Sequence, residues 1–245
     1  MIATIRLQYR YLLSKISLWF LAIVVISLTV GIIFASGFHS QTGASDLNRQ
    51  AMNIEYQNET IMILKFALII VTVFLTIQGY YSQLSKYHLF FLQRPNGKKQ
   101  LAVSKIISIM LIQGLIGLHG GLTIHLTGLY LTPFFRMDFL FFNAIVQVIL
   151  EMFILGFVGG ILIQMVDSIF SGLVPLFLFW VAEMNSDYAG IISSQSLKIV
   201  YSVMPNPIFF EGKWMTVYSI EHYLIIFVFL GVLNLMIFML KDIKS

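Results

Sequence analysis

The chain has 245 residues, of which 58% are hydrophobic and 11% charged, with a mean hydropathy of +0.88 and a formal net charge of +4. A soluble domain carries roughly 25% charged residues, so too few polar groups remain here to cover a water-facing globule. The sequence contains no cysteine, which removes disulfides, thiolate nucleophiles and cysteine metal sites.

Residues 1–15 precede the first span, and Ile2, Ile5, Tyr9, Leu12 and, just beyond, Ile16 fall at helical spacing with Arg6, Arg10 and Lys15 off that stripe. Two readings fit: an amphipathic helix lying on the inner leaflet, or a plain basic flank before a span. The apolar run at 16–36 is longer than the ~7–15 residues of a signal-peptide core, which favours a retained first span.

Five further spans follow at 61–80, 104–131, 139–165, 168–183 and 222–240, each read from an apolar run approaching the ~20 residues that cross a bilayer. The fifth is short and carries Pro175. Residues 37–60 read as a polar outer loop. Residues 184–221 are too apolar for a solvated loop and read as an outer interfacial or re-entrant segment. The expected fold is therefore an all-α integral membrane protein, one transmembrane domain over 1–245, with both termini cytoplasmic.

Charge sets the orientation. With the N-terminus inside, Arg6, Arg10, Lys15, Lys86, Arg94, Lys98, Lys99, Lys105, Lys241 and Lys244 fall on the cytoplasmic side. Arg49, Lys65, Arg136, Lys198 and Lys213 fall outside. This is the bias of the positive-inside rule. The net charge is thus a topology signal and does not point to nucleic acid.

The cytoplasmic stretch 81–103 has its own pattern. Leu84, Tyr87, His88, Phe91 and Leu92 recur at helical spacing, and Arg94-Pro95-Asn96-Gly97 has turn chemistry. Lys98 and Lys99 then restart a helix. The stretch reads as an anchor in lipid or as a lever that a soluble partner pushes.

Within the spans, His119 and Glu151 lie at matching depth, counted from the turn at Arg136, so a hydrogen bond between them is expected. Its role is a packing clamp or a polar lining of a transport path. Gly117/Gly121 and Gly156/Gly160 form Gly-x-x-x-Gly pairs, which serve helix packing or a dimer interface. There is no H-E-x-x-H motif or cysteine nucleophile, so no enzyme is expected.

Taken together, the stretch LFFLQRPNGKKQLAVSKII at 89–107, the segment VMPNPIFF at 203–210, the basic N-terminal helix and the six-span layout resemble the type 2 permeases of ATP-binding-cassette (ABC) exporters. The loop carries Gln83 and Ser85 where that family often has an acid and a Gly-Thr pair. The resemblance implies a coupling helix formed by Leu84, Tyr87, His88, Phe91, Leu92, Arg94, Lys98 and Lys99. It also implies a separate ABC ATPase subunit that binds ATP and magnesium, since the chain has no G-x-x-x-x-G-K-[ST] loop. A second permease copy or a sister permease, a surrounding cell membrane and an amphipathic peptide, lipid-like or drug-like cargo complete the expectation. The alternatives are a secondary transporter or channel using His119 and Glu151, or a membrane immunity protein that does not transport.

Overall fold

The computed structural model describes residues 2–38, 46–81, 96–132, 135, 139–184, 208–210, 213–215 and 220–240. Its helices are α1 (Ile2–Leu12), α2 (Lys15–Phe38), α3 (Asp46–Tyr80), α4 (Gly97–Leu131), α5 (Phe139–Val166), α6 (Val174–Met184) and α7 (Ile220–Leu240). Five stretches are long and apolar enough to cross a membrane: Lys15–Gly37, Met52–Tyr80, Gly97–Leu131, Phe141–Val166 and Glu221–Leu240. The protein is therefore a helical, multi-pass membrane protein.

Neighbour contacts fix the direction of each helix. Phe20 stacks on Phe74 with ring centroids 4.2 Å apart, and Gly31 faces Ile63, so α2 and α3 are antiparallel. Gly117 and Gly120 of α4 meet Leu68 and Leu64 of α3, again antiparallel, while Ile149 and Ile145 of α5 meet Gly117 and Gly121. Phe153 and Phe157 of α5 pack on Phe227, and Asn234 lies against Gly160, so α5 and α7 run parallel. The N-termini of α2 and α4 and the C-termini of α3, α5 and α7 share one end of the bundle, called the inner end below.

The fifth expected span takes a different form. A left-handed residue, Asp167 (φ 53), ends α5, and the Ser168 side chain accepts a hydrogen bond from the Phe170 backbone amide at 3.2 Å. A 3-10 segment, Ile169–Leu173, then leads into α6, an α-helix of 11 residues. Gly172 lies against Ile77 and Ile163, Pro175 against Gly159, and Phe179 against Phe66. α6 therefore climbs back along α3 away from the inner end, as a short helix packed on the bundle rather than a full-length apolar helix.

Two other expectations change. The segment 184–221 contains a two-stranded antiparallel hairpin, β1 (Ile208–Phe210) on β2 (Lys213–Met215), in the register Phe209 opposite Trp214. Apart from this short hairpin the described fold is helical, as expected. Lys65, counted above among outer charges, lies in the central turns of the Met52–Tyr80 span and is 1% exposed. The helix starts well before the apolar run does, at Asp46, which moves Lys65 away from the outer boundary.

The core runs along the α3–α4–α5 seam, with Leu64, Leu68, Val71, Leu75, Ile112, Ile116, Val148 and Leu155 buried together. α2 and α7 cover this core from outside; their span windows are only 28% and 17% buried by the protein itself. The large apolar side chains left exposed there face the lipid, as expected where the solvent is hydrocarbon.

Candidate functional site

At the inner end, α1 packs across the start of α4. The face it turns inward is Thr4, Gln8 and Leu12, all buried, while Arg6 and Arg10 are exposed. Ile5 and Tyr9 are half-buried beside that contact, and Ile16, the last of the expected stripe, belongs to α2 and is 82% exposed. The helix is therefore amphipathic in two senses, with one face for the bundle and one for the surroundings. Gln78 Nε2 donates to Ser17 Oγ at 2.8 Å and to the Tyr11 carbonyl at 3.3 Å, fastening the α1–α2 elbow to the end of α3. Burial raises the Tyr11 phenol above its ordinary pKa, so it stays neutral.

α4 begins directly after Asn96, which is left-handed (φ 59), a conformation asparagine tolerates better than most residues. Lys98 Nζ donates to the Met239 carbonyl at 2.6 Å, tying the start of α4 to the end of α7. That carbonyl belongs to the last turn of a helix, where a cation is favoured. Lys99 is exposed. Leu84, Tyr87, His88, Phe91, Leu92 and Arg94 lie outside the described residues.

Just inside this end, a polar cluster joins four helices. Gln164 Nε2 donates to Asn234 Oδ1 at 3.1 Å, Asn234 Nδ2 donates to the Phe157 carbonyl at 3.3 Å, and Tyr80 shares a side-chain hydrogen bond with Asn234. Lys105, 1% exposed, holds its ammonium 4.9 Å from the centroid of the Phe238 ring and 5.7 Å from that of Tyr80. Such cation–π contact offsets part of the desolvation of a buried ammonium. Deeper, Gln113 Nε2 donates to Thr72 Oγ1 at 2.7 Å beside Gly156. The cavity lined by Tyr80, Gln113 and Gly156 holds about 10 Å³, room for one water, so the seam is closed there.

His119 and Glu151 are not brought together. His119 Nε2 lies 3.0 Å from Thr29 Oγ1 of α2 on the exposed side of α4, whereas Glu151 is 1% exposed inside the bundle. Among the described residues they share no hydrogen bond. The reason is rotational: at ~100° per residue, His119 points about 200° away from Gly117 and Gly121, the α4 glycines that face α5. We expect His119→Leu to change the detergent-solubilised melting temperature by less than about 3 °C, because a lone hydrogen bond in a membrane contributes only ~0.6 kcal/mol on average. A larger drop would show that His119 does more than hold Thr29.

All four glycines of the Gly-x-x-x-Gly pairs face neighbours within the same chain. A Cβ on Gly117 would meet Ile149 at 2.6 Å, and one on Gly121 would meet Ile145 at 3.0 Å. A Cβ on Gly160 would meet Asn234 and Tyr80 at 2.8 Å, and one on Gly156 would sit 3.5 Å from Gln113 and Thr72. In this arrangement the glycines serve packing.

Sequence reasoning did not find the buried lysines or the Gln164–Asn234 bond. The available signal was a lysine within an apolar run, ILKFALIIV, and a lone asparagine in the last span, which are reasons to seek a partner. No family model matches the chain, and no curated protein matches it significantly.

Proposed function

We propose that the chain is the permease subunit of an ATP-driven ABC exporter. It lies in the cell membrane with both termini cytoplasmic and moves an amphipathic peptide, lipid-like or drug-like substrate outward. The observation that carries this reading is the composition of the inner end. α1 with its exposed arginines, the elbow cation Lys15, the α4 start with Lys98 and Lys99, and both ends of the 81–96 connection gather there. A basic end of this kind faces the cytoplasm, where an ATPase would dock.

Six crossings are supported by parity. α5 and α7 run parallel, so the chain between Val166 and Ile220 has to return across the bundle, and α6 starts that return along α3. In this reading ATP and magnesium bind the partner ATPase, and a second permease copy or a sister permease supplies the other half of the path. A secondary transporter is the competing reading, favoured by charged side chains buried at mid-span, and it requires an ion gradient in place of ATP.

The test is co-purification. With the ATPase co-expressed, Phe91→Glu combined with Leu92→Glu is expected to abolish recovery of the ATPase with the membrane subunit, a loss of at least about tenfold, since charges replace the apolar stripe of an interface. The membrane subunit itself should remain monodisperse. Transport by the purified chain alone in liposomes, driven by a proton gradient, would overturn the exporter reading and establish its rival.

A further inference from the structure

We infer that Lys65 of α3 and Glu151 of α5 form an ion pair in the interior of the bundle, a charge lock that holds these two helices in one register. Among the described residues, the buried charged side chains are Lys65, Lys105 and Glu151, each 1% exposed. Lys105 sits near the inner end, between the rings of Tyr80 and Phe238. Lys65 is the cation that shares the depth of Glu151.

That depth follows from the packing. Leu68 and Ile149 both close on Gly117, while Leu64 closes on Gly120 and Ile145 on Gly121. Further inward, Thr72 lies against Gly156 and Thr76 against Gly159. Because α3 and α5 run parallel, these contacts place Lys65 and Glu151 within about five residues along the axis, at most ~8 Å, which a four-carbon lysine stem and a glutamate stem together span. On α3 the facing agrees as well. Lys65 precedes Thr72 by two turns and Thr76 by three, so all three lie on the α3 stripe that meets α5. Neither Lys65 nor Glu151 lacks an interacting neighbour.

Burial in hydrocarbon favours such a pairing. A charged group in the hydrocarbon zone persists when it is paired, and removing one partner strands the other charge. A neutral pair of similar size is tolerated far better than either half alone. The lock also says where motion resides. With α3 and α5 held in register, any rearrangement is expected at α2 and α7, whose span windows are 28% and 17% buried. This holds whether or not the chain works with an ATPase.

The test uses the full chain in detergent: Lys65→Met, Glu151→Leu, the double variant, and the exchange Lys65→Glu with Glu151→Lys. The readouts are recovery of monodisperse protein and melting temperature. Each single variant is expected to lose at least about fivefold in recovery, as stranded buried charges do. The double variant should return to within about twofold of the parent, with the exchange recovering better than either single change. Overturning results are recovery of either single variant at the parent level, or a double variant no better than its worse single. In both cases the two side chains are energetically independent.

Discussion

Gly117→Leu is expected to prevent recovery of folded protein, and Gly117→Ala to lower its stability by about 1–3 kcal/mol, the usual range for forcing extra methylenes into a packed core. At this position α3, α4 and α5 meet: Ile149 lies 2.6 Å and Leu68 3.6 Å from where a Cβ would stand. The neighbours are branched side chains in a close-packed seam, so neither can step aside without opening a void elsewhere. One turn away, Gly114 supplies a control on the same helix. Its added Cβ would meet only Phe153, at 3.6 Å, an ordinary contact. Gly114→Ala should therefore gain up to about 1 kcal/mol, because alanine is the better helix former. Melting temperatures of the two alanine variants in the same detergent decide the matter. Equal shifts of the same sign would contradict the packing.

The second large effect is expected at Asn234. Asn234→Leu removes the acceptor of Gln164, the donor to the Phe157 carbonyl and the partner of Tyr80 in one step. Leaving buried groups unsatisfied costs about 1–3 kcal/mol, a large share of what seats a helix with only 17% of its span window covered. We expect α7 to loosen from α5 while α2–α5 stay assembled. The cysteine-free sequence makes the measurement direct: Phe153→Cys with Phe227→Cys, replacing rings whose centroids are 6.1 Å apart, should crosslink readily in the parent and several-fold less in the Asn234→Leu background. Undiminished crosslinking would show that α7 is seated by contacts other than those of Asn234 and the Phe227 ring.

The long apolar runs were legible as helices because only helices and closed barrels satisfy the backbone in hydrocarbon, and runs of ~20 apolar residues have helix length. The break before α4 was legible in its asparagine and glycine, and Asn96 adopts the left-handed geometry that a turn uses; Arg94 and Pro95 lie outside the described residues. Rotation about the helix axis was not legible. His119 and Glu151 were matched in depth, yet in a span apolar on all sides no amphipathic pattern shows which way a side chain points. The α4 glycines carried that information, since they mark the face of close approach. Lys65 was misplaced because hydropathy locates where apolar residues begin, whereas the helix begins where its backbone bonds do. α1 misled in a related way: its buried face is the polar pair Thr4 and Gln8 ending in Leu12, and the apolar stripe was the more visible signal.

Helix length bears on how the protein fits its bilayer. α3 and α4 each have 35 residues, about 52 Å at ~1.5 Å per residue, well beyond a hydrocarbon core of ~30 Å. Taken alone, they would demand steep tilt or local thickening of the lipid. α4 shows an exposed stripe of its own, Leu111, Leu115, Leu118, Leu122 and Leu126, while the least covered spans are α2 and α7, of 24 and 21 residues. Those correspond to about 36 and 31 Å, close to the thickness of an ordinary bilayer. Hydrophobic mismatch is therefore smallest at the two shortest spanning helices, and much of the extra length of α3 is polar turns at 46–60, which need no hydrocarbon around them.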